Sequence, residues 1–136
     1  MASLHHEILI AVDPGTVWSA AREIDRLHDR LVPGFVTATE MLAGEGAPVR
    51  RVTFANGAVA DETIVSVDDA RRRLVWAIKA FEHHNGALQV LEAPEGARVV
   101  WTADLLPDSL VDRVSPMMAH GLACMKEHLE RGADRG

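Results

Sequence analysis

The sequence predicts an α+β fold in which a curved, seven-stranded antiparallel sheet wraps around one long C-terminal helix, with two short helices between the first two strands. Two observations predict it. Between Phe35 and Leu106, six short β-rich runs alternate with turn sequences, which is typical of an antiparallel meander rather than of βαβ units. From Leu110 to Leu129, apolar residues recur at the spacing of one helix face. A twisted sheet that buries this face leaves room for a cavity between sheet and helix.

Length, composition and charge narrow the class of protein. The chain has 136 residues, of which 48% are hydrophobic, so we expect one domain over residues 1–131 with a sizeable core. The formal net charge of −6 repels phosphate backbones, so no nucleic-acid partner is expected. The single cysteine excludes a disulfide framework. No apolar run is long enough for membrane insertion and the N-terminus lacks a signal-peptide pattern, which together predict a cytoplasmic protein.

The N-terminal third is predicted to contain a strand followed by two short helices. Leu4–Val12 is rich in β-branched residues, and Asp13 can cap a helix over Pro14–Ile24, where proline suits the first helical position. Asp25 can cap a second short helix over Arg26–Leu31.

The central meander is divided by turn sequences. Asn56-Gly57 is the strongest of them, because a type I′ turn needs positive φ at both central residues. The His83-His84-Asn85 stretch is interpreted as another joint. The six predicted strands are Phe35–Leu42, Val49–Phe54, Val59–Val67, Arg73–Ala80, Gly86–Leu91 and Arg98–Leu106.

The C-terminal helix is amphipathic and contains one proline. Pro116 cannot donate a hydrogen bond to the carbonyl of Asp112, which predicts a kink there or a fresh start with Ser115 as cap. The last residues, 132–136, are small and polar and are predicted to form a frayed tail.

At this point the sequence resembles a known superfamily, the Bet v 1-like or START-related (SRPBCC) helix-grip proteins, and within it the polyketide cyclase/dehydrase and lipid-transport type. The resemblance implies the helix-grip fold and an internal cavity for a small hydrophobic ligand, used in different members for binding, transport or cyclisation. The residues that carry it are Val12-Asp13-Pro14 followed by Val17-Trp18, the Gly-rich turn before Val49-Arg50, Asn56-Gly57 followed by Glu62, Asp68–Leu74, and Val100-Trp101 running to Leu106-Pro107.

Strand parity identifies a carboxylate inside the predicted cavity. Alternate residues of a strand face opposite sides, so inward Trp76 and Trp101 fix the parity of their strands. The same reasoning places Glu62 inward with Ala60, Ile64 and Ser66. Apolar surroundings would raise the pKa of Glu62 and suit it to general acid or base work. Alternatively, Glu62 pairs with a neighbouring arginine, Arg51 or Arg73.

Two histidines are further candidates for proton transfer. His28 lies where the second short helix meets the opening of the sheet, a position at which the resemblance implies a cavity-edge aromatic, and its imidazole could exchange protons with a ligand. Alternatively, it is a mouth-lining or solvated helix residue. Parity turns His84 inward and His83 outward. A metal site would require His28, Glu62 and His84 to converge without any metal-ligand spacing signature, so no metal and no cofactor are predicted.

The walls of the cavity are predicted to be mainly aliphatic, because only 4% of the residues are aromatic. This low aromatic content distinguishes the chain from the aromatic polyketide cyclases of the family. The methionines of the helix can line a cavity or simply fill a core, and Gly121 can allow close packing or leave empty volume. The predicted ligand-binding residues are Phe35, Ile64, Trp76, Leu88, Trp101, Met117, Met118 and Gly121.

Three functional hypotheses follow. The first is a carrier or sensor, monomeric or homodimeric, that binds a small hydrophobic molecule. The second is a cofactor-independent cyclase, dehydratase or isomerase in which Glu62 moves protons with His28 or His84. The third is a protein-interaction role, for which the sequence contains no specific feature.

Overall fold

A computed structural model describes residues 1–135 and contains seven strands and two α-helices. The strands are β1 (Ala2–Ile10), β2 (Val36–Leu42), β3 (Val49–Phe54), β4 (Val59–Asp68), β5 (Arg73–Ile78), β6 (His83–Ala93) and β7 (Gly96–Leu106). The α-helices are α1 (Pro14–Ala21) and α2 (Val111–Arg135), with a π-turn at Leu27–Leu31 and a 3₁₀ turn at Asp108–Leu110. Neither α1 nor α2 combines the length and the apolar character needed to cross a bilayer.

All seven strands form one antiparallel sheet in the order β1-β7-β6-β5-β4-β3-β2. The meander therefore runs from β2 to β7, and β1 closes the far edge by pairing with β7 along its whole length, from Ala2 opposite Leu105 to Ile10 opposite Ala97. The predicted fold, a curved sheet around a long C-terminal helix, is confirmed.

The core lies between the inner face of the sheet and one face of α2. Met118, Leu122 and Met125 of the helix are almost completely buried, as are Leu74 and Val99 of the sheet. The parity set by Trp76 and Trp101 therefore holds. It fails in β4 beyond Ile64, where a β-bulge before Ser66 shifts the register and leaves Ser66 exposed.

The N-terminal helices differ in part from the prediction. Asp13 caps α1 as expected, accepting from the backbone N–H groups of Gly15 and Thr16. The helix ends at Ala21 rather than Ile24, and the second segment is a single π-turn closed by the Val32 N–H donating to the Leu27 carbonyl. The expectation that Asp25 caps this segment is wrong: Arg26 precedes it, without a side-chain cap.

The β5–β6 connection lies earlier in the chain than predicted. Strand β5 ends at Ile78 and β6 begins at His83, so His83-His84-Asn85 is strand and not a joint. The physical reason is the long pairing of β6 with β7, which continues to His83 opposite Leu106. Pairing of β5 with β6 stops at Trp76 opposite Gly86, so these two strands separate at one end of the sheet.

Helix α2 passes through Pro116 without restarting. The alternative with Ser115 as a new cap is wrong, because Ser115 Oγ instead lies 2.8 Å from Nε2 of His6 on β1. The predicted frayed tail, residues 132–136, is helical as far as Arg135, and Gly136 lies outside the described residues. Glu130 holds this end of the helix to the end of β1 by accepting from the Ala11 N–H, 2.9 Å away.

Candidate functional site

A cavity of about 510 Å³ lies between the inner face of the sheet, the π-turn segment and α2. Most of its wall is aliphatic or methionine, as predicted. Aromatic side chains are nevertheless concentrated there, because five of the six Phe and Trp residues of the chain line it. These five are Phe35, Phe54, Trp76, Phe81 and Trp101.

The opening of the cavity is marked by its exposed lining residues. Asn56, Ala58 and Val59 belong to the β3–β4 hairpin, and Arg113 and Pro116 to the start of α2. The gap that forms where β5 and β6 stop pairing lies at the same end of the sheet. The mouth is therefore formed by a hairpin, a strand gap and a helix start, and the closed end by the middle of the sheet.

Two tryptophans from neighbouring parts of the sheet form one side of the cavity. The ring centroids of Trp76 and Trp101 are 5.9 Å apart at an interplanar angle of 56°. Gly86 permits this position for Trp76, because a Cβ at Gly86 would lie 3.0 Å from Cε2 of the indole. The guanidinium of Arg50 lies 5.8 Å from the centroid of the Trp76 ring, within range of a cation–π interaction.

Glu62 points into the cavity, as strand parity predicts, and it is ion-paired. Arg50 lies directly opposite on β3 and donates from Nε to Oε1 of Glu62 over 2.9 Å. Both residues are buried, at 2% and 6% exposure. The prediction that Arg51 or Arg73 pairs with Glu62 is wrong. Arg51 faces outward and pairs with Asp61. Parity explains this, because position 50 and not position 51 shares a face with Glu62.

Burial and charge act in opposite directions on Glu62. Desolvation raises the pKa of its carboxyl above the usual value, while the charge and the hydrogen bond of Arg50 lower it. The raised direction matches the sequence-based expectation. The guanidinium also donates from Nη1 to the carbonyl oxygen of Ile24, 3.2 Å away, which holds the pair against the segment after α1.

His84 also lines the cavity and lies beside Phe81, with ring centroids 5.2 Å apart. Desolvation, with a smaller contribution from the neighbouring His83, lowers its pKa to about 4, so the imidazole is neutral at physiological pH. Its Nδ1 atom is fully buried and has no hydrogen-bond partner within residues 1–135. His83 is exposed, so the two histidines diverge as predicted.

His28 does not line the cavity. Its Nδ1 atom lies 3.1 Å from Oγ1 of Thr39 on β2, a contact between the π-turn and the sheet edge that sequence spacing does not reveal. His28, Glu62 and His84 therefore do not converge. Within residues 1–135 no group of three potential metal ligands comes together.

Six of the eight predicted ligand-binding residues line the cavity: Phe35, Trp76, Leu88, Trp101, Met117 and Met118. Ile64 is 4% exposed but belongs to the solid part of the core, beyond the cavity wall. Of the two roles considered for Gly121, the structure shows close packing and not empty volume. A Cβ there would lie 3.0 Å from ring carbons of both Phe35 and Trp101.

Sequence reasoning missed Arg50, which completes the polar part of the wall. Its signal was present, because Arg50 shares strand parity with Val52 and Phe54, both of which are buried. An inward arginine opposite an inward glutamate is the arrangement that strand pairing would have predicted.

Comparison with solved structures shows the same fold over most of the chain. Protein XoxI from Bacillus cereus is 19% identical, with coverage of 95% of this chain and 96% of that chain and a TM-score of 0.81. Norcoclaurine synthase from Thalictrum flavum, in complex with dopamine and hydroxybenzaldehyde, is 18% identical, with coverage of 98% and 87% and a TM-score of 0.68. Ara h 8.0201 is 18% identical, with coverage of 94% and 97% and a TM-score of 0.70.

Sequence comparison identifies the family. No curated protein matches the chain significantly. The family model described as polyketide cyclase / dehydrase and lipid transport matches residues 1–135. This match over residues 1–135 establishes that the chain belongs to the polyketide cyclase/dehydrase and lipid-transport family, and the solved structures compared above share its helix-grip fold.

Proposed function

We propose that this protein binds a small hydrophobic molecule in the cavity between its sheet and α2, as a carrier or sensor. The observation that carries the proposal is the cavity itself, about 510 Å³ in volume and mostly apolar. This volume lies within the range of about 300–1,000 Å³ that small-molecule sites occupy. The family description, which includes lipid transport, supports the same class of ligand.

The chemistry of the wall favours an irregular apolar ligand. Met117, Met118 and Met125 contribute flexible, polarisable side chains from α2, and Trp76 and Trp101 contribute rigid rings from the sheet. A small number of polar groups within an apolar wall is typical of sites that orient a ligand. We expect the protein to act in the cytoplasm as a monomer or homodimer, without a metal or a cofactor.

A second candidate function is a cofactor-independent cyclase, dehydratase or isomerase. The observation that favours it is that Glu62 and His84 line the same apolar cavity. A carboxyl with a raised pKa and a neutral imidazole can exchange protons with a bound molecule. His28 is not part of this candidate, because it contacts Thr39 outside the cavity.

Native mass spectrometry of freshly purified protein tests the binding proposal. We expect a non-covalent adduct in the wild-type protein. The adduct should be lost in Ala60→Trp, because Ala60 lines the cavity and an indole there fills it. It should persist in the control Ala38→Trp, because Ala38 is exposed on β2. An adduct that is unaffected by Ala60→Trp would place the bound molecule elsewhere.

The same adduct separates the two functions. If the protein is an enzyme, Glu62→Gln should retain the bound compound but abolish its conversion, since glutamine keeps the shape of the side chain and removes the ionisable proton. If the protein is a carrier or sensor, wild-type protein returns the compound chemically unchanged after prolonged incubation.

A further inference from the structure

We propose that the ligand is an uncharged, predominantly apolar molecule with a hydroxyl group at one end, and that this hydroxyl binds to the Arg50–Glu62 pair. The inference rests on the proposed binding function and deepens it by naming the chemical class of the ligand.

The pair has unused hydrogen-bonding capacity, and both of its residues line the cavity. Arg50 donates from Nε to Glu62 and from Nη1 to Ile24, which leaves Nη2 without a partner in residues 1–135. Oε2 of Glu62 likewise has none among these residues. Both atoms retain some accessible surface. Within residues 1–135, His84 Nδ1 is the only side-chain polar atom that is both fully buried and without a partner. The two N–H groups of Nη2 and the acceptor Oε2 are therefore left for a ligand at this part of the cavity wall, on adjacent strands.

The charge of the polar wall excludes ionised ligands. A guanidinium is a cation, and leaving that of Arg50 unpaired at 2% exposure would be costly, so Glu62 serves as its counter-ion. His84 adds no charge near neutrality. A carboxylate ligand would have to lose its hydration and then compete with Glu62 for Arg50, and an ammonium would compete with Arg50 for Glu62. The site is balanced for a neutral molecule.

A hydroxyl group matches this arrangement better than other neutral groups. One hydroxyl oxygen can accept from Nη2 of Arg50 while its hydrogen donates to Oε2 of Glu62. A carbonyl can only accept, and it would leave Oε2 covered and unpaired, which is unfavourable in a desolvated site. Hydrogen bonds to charged partners are also stronger than those between neutral groups. On the inner side of the mouth, the rest of the ligand meets walls that are apolar apart from the ring of His84.

A competition experiment with ligands of one chain length tests this inference. The uncharged fluorescent dye N-phenyl-1-naphthylamine reports on the cavity, and 1-decanol, decanoate and decylammonium compete with it at neutral pH. We expect 1-decanol to displace the dye with a competition constant at least about tenfold lower than either charged compound. Decanoate or decylammonium competing as well as 1-decanol would overturn the inference.

A matched pair of variants assigns the selectivity to the buried pair. Glu62→Gln leaves Arg50 without its counter-ion, so the preference for 1-decanol over decanoate should disappear or invert. Asp61→Asn breaks the adjacent ion pair on the outer face and should leave the preference unchanged. An unaltered preference in folded Glu62→Gln would overturn the inference. If Glu62→Gln does not fold, the competition of 1-decanol, decanoate and decylammonium for the wild-type protein still tests the inference.

Dye binding and its displacement distinguish a failure of the proposed binding function from a failure of the hydroxyl assignment. If the dye does not bind to the wild-type protein, the proposed binding function fails. If the dye binds and is displaced without regard to charge, the cavity is a binding site but the hydroxyl assignment fails.

Discussion

Arg50 and Glu62 form an ion pair on the inner face of the β3–β4 hairpin, while their chain neighbours Arg51 and Asp61 form the same type of pair on the outer face. Both pairs have an Nε-to-carboxylate distance of 2.9 Å. The inner side chains are 2% and 7% exposed, and the outer ones are both 46% exposed. The hairpin thus contains two pairs of matched chemistry that differ in burial.

This difference predicts unequal costs for breaking the two pairs. Glu62→Gln should lower the free energy of unfolding by about 3–5 kcal/mol, because it leaves a buried guanidinium uncompensated. Asp61→Asn should change it by no more than about 1 kcal/mol, because the outer pair is solvated. Urea titrations of both variants measure the difference, and equal losses would contradict the burial of the inner pair.

Replacing both inner partners should recover the loss. In Arg50→Met/Glu62→Leu, no charge is left behind and the apolar wall becomes continuous, so the double variant should be more stable than Glu62→Gln. The same unfolding titration checks this. A double variant that is less stable than Glu62→Gln would mean that packing of the Arg50 side chain, and not charge balance, dominates.

Two glycines of α2 are predicted to respond oppositely to alanine. Gly132→Ala should stabilise the protein by up to about 1 kcal/mol, because a Cβ at this position would have nothing within 4 Å and alanine favours helix. Gly121→Ala should destabilise it by about 1–2 kcal/mol, because the methyl group meets the rings of Phe35 and Trp101. Thermal unfolding compares them. Equal stabilisation by both would place Gly121 away from those rings.

The inward face of α2 is tested by an aspartate pair. Met118 is 0% exposed, so Met118→Asp buries a carboxylate in the core and should cost about 4 kcal/mol or more. Ala119 is exposed on the next position of the helix, and Ala119→Asp should change stability by about 0.5 kcal/mol or less. Similar melting temperatures for the two variants would be incompatible with this helix orientation.

The low pKa of His84 predicts a pH dependence of stability. Its pKa is about 4 in the folded protein, against the ordinary value of 6.5 that we expect in the unfolded chain, so the unfolded chain takes up the proton first as the pH falls. The contribution of His84 is therefore complete above pH 6.5 and is lost as the pH falls from 6.5 towards about 4. All the proteins compared contain Glu62, so its titration affects each pH curve equally and does not contribute to the difference between them.

Melting temperatures across this range check the prediction. His84→Gln should show a shallower decline between pH 6.5 and about 4 than the wild-type protein, because glutamine does not titrate. His83→Gln should keep most of the wild-type decline, because burial of His84, and not the charge of His83, is the larger cause of the low pKa of His84. Parallel curves for His84→Gln and wild type would mean that the imidazole is solvated in the folded state.

Periodicity predicted the features that depend on local geometry. Alternation along strands turned Glu62 and His84 inward, and the helical spacing after Leu110 identified the face that buries Met118 and Leu122. These predictions succeeded because a side chain's face is fixed by its own backbone once the element and its register are known.

Features that depend on contacts between distant segments could not be predicted in this way. The β-bulge before Ser66 and the separation of β5 from β6 arise from strand pairing. His28 was assigned to the cavity edge from its place in the chain, whereas its position is set by Thr39 on another element. Pro116 was expected to kink the helix or to make it start afresh with Ser115 as cap; the helix does not start afresh, and Ser115 contacts His6 instead.

Fluorescence titration with N-phenyl-1-naphthylamine tests the central claim, ligand binding in the internal cavity, most directly. We expect saturable enhancement of dye fluorescence with wild-type protein, loss of that enhancement in Ala60→Trp, and wild-type behaviour in Ala38→Trp. Ala60 lines the cavity and Ala38 is exposed on the outside of the edge strand. Equal enhancement by all three folded proteins, or none by the wild type, would contradict the account.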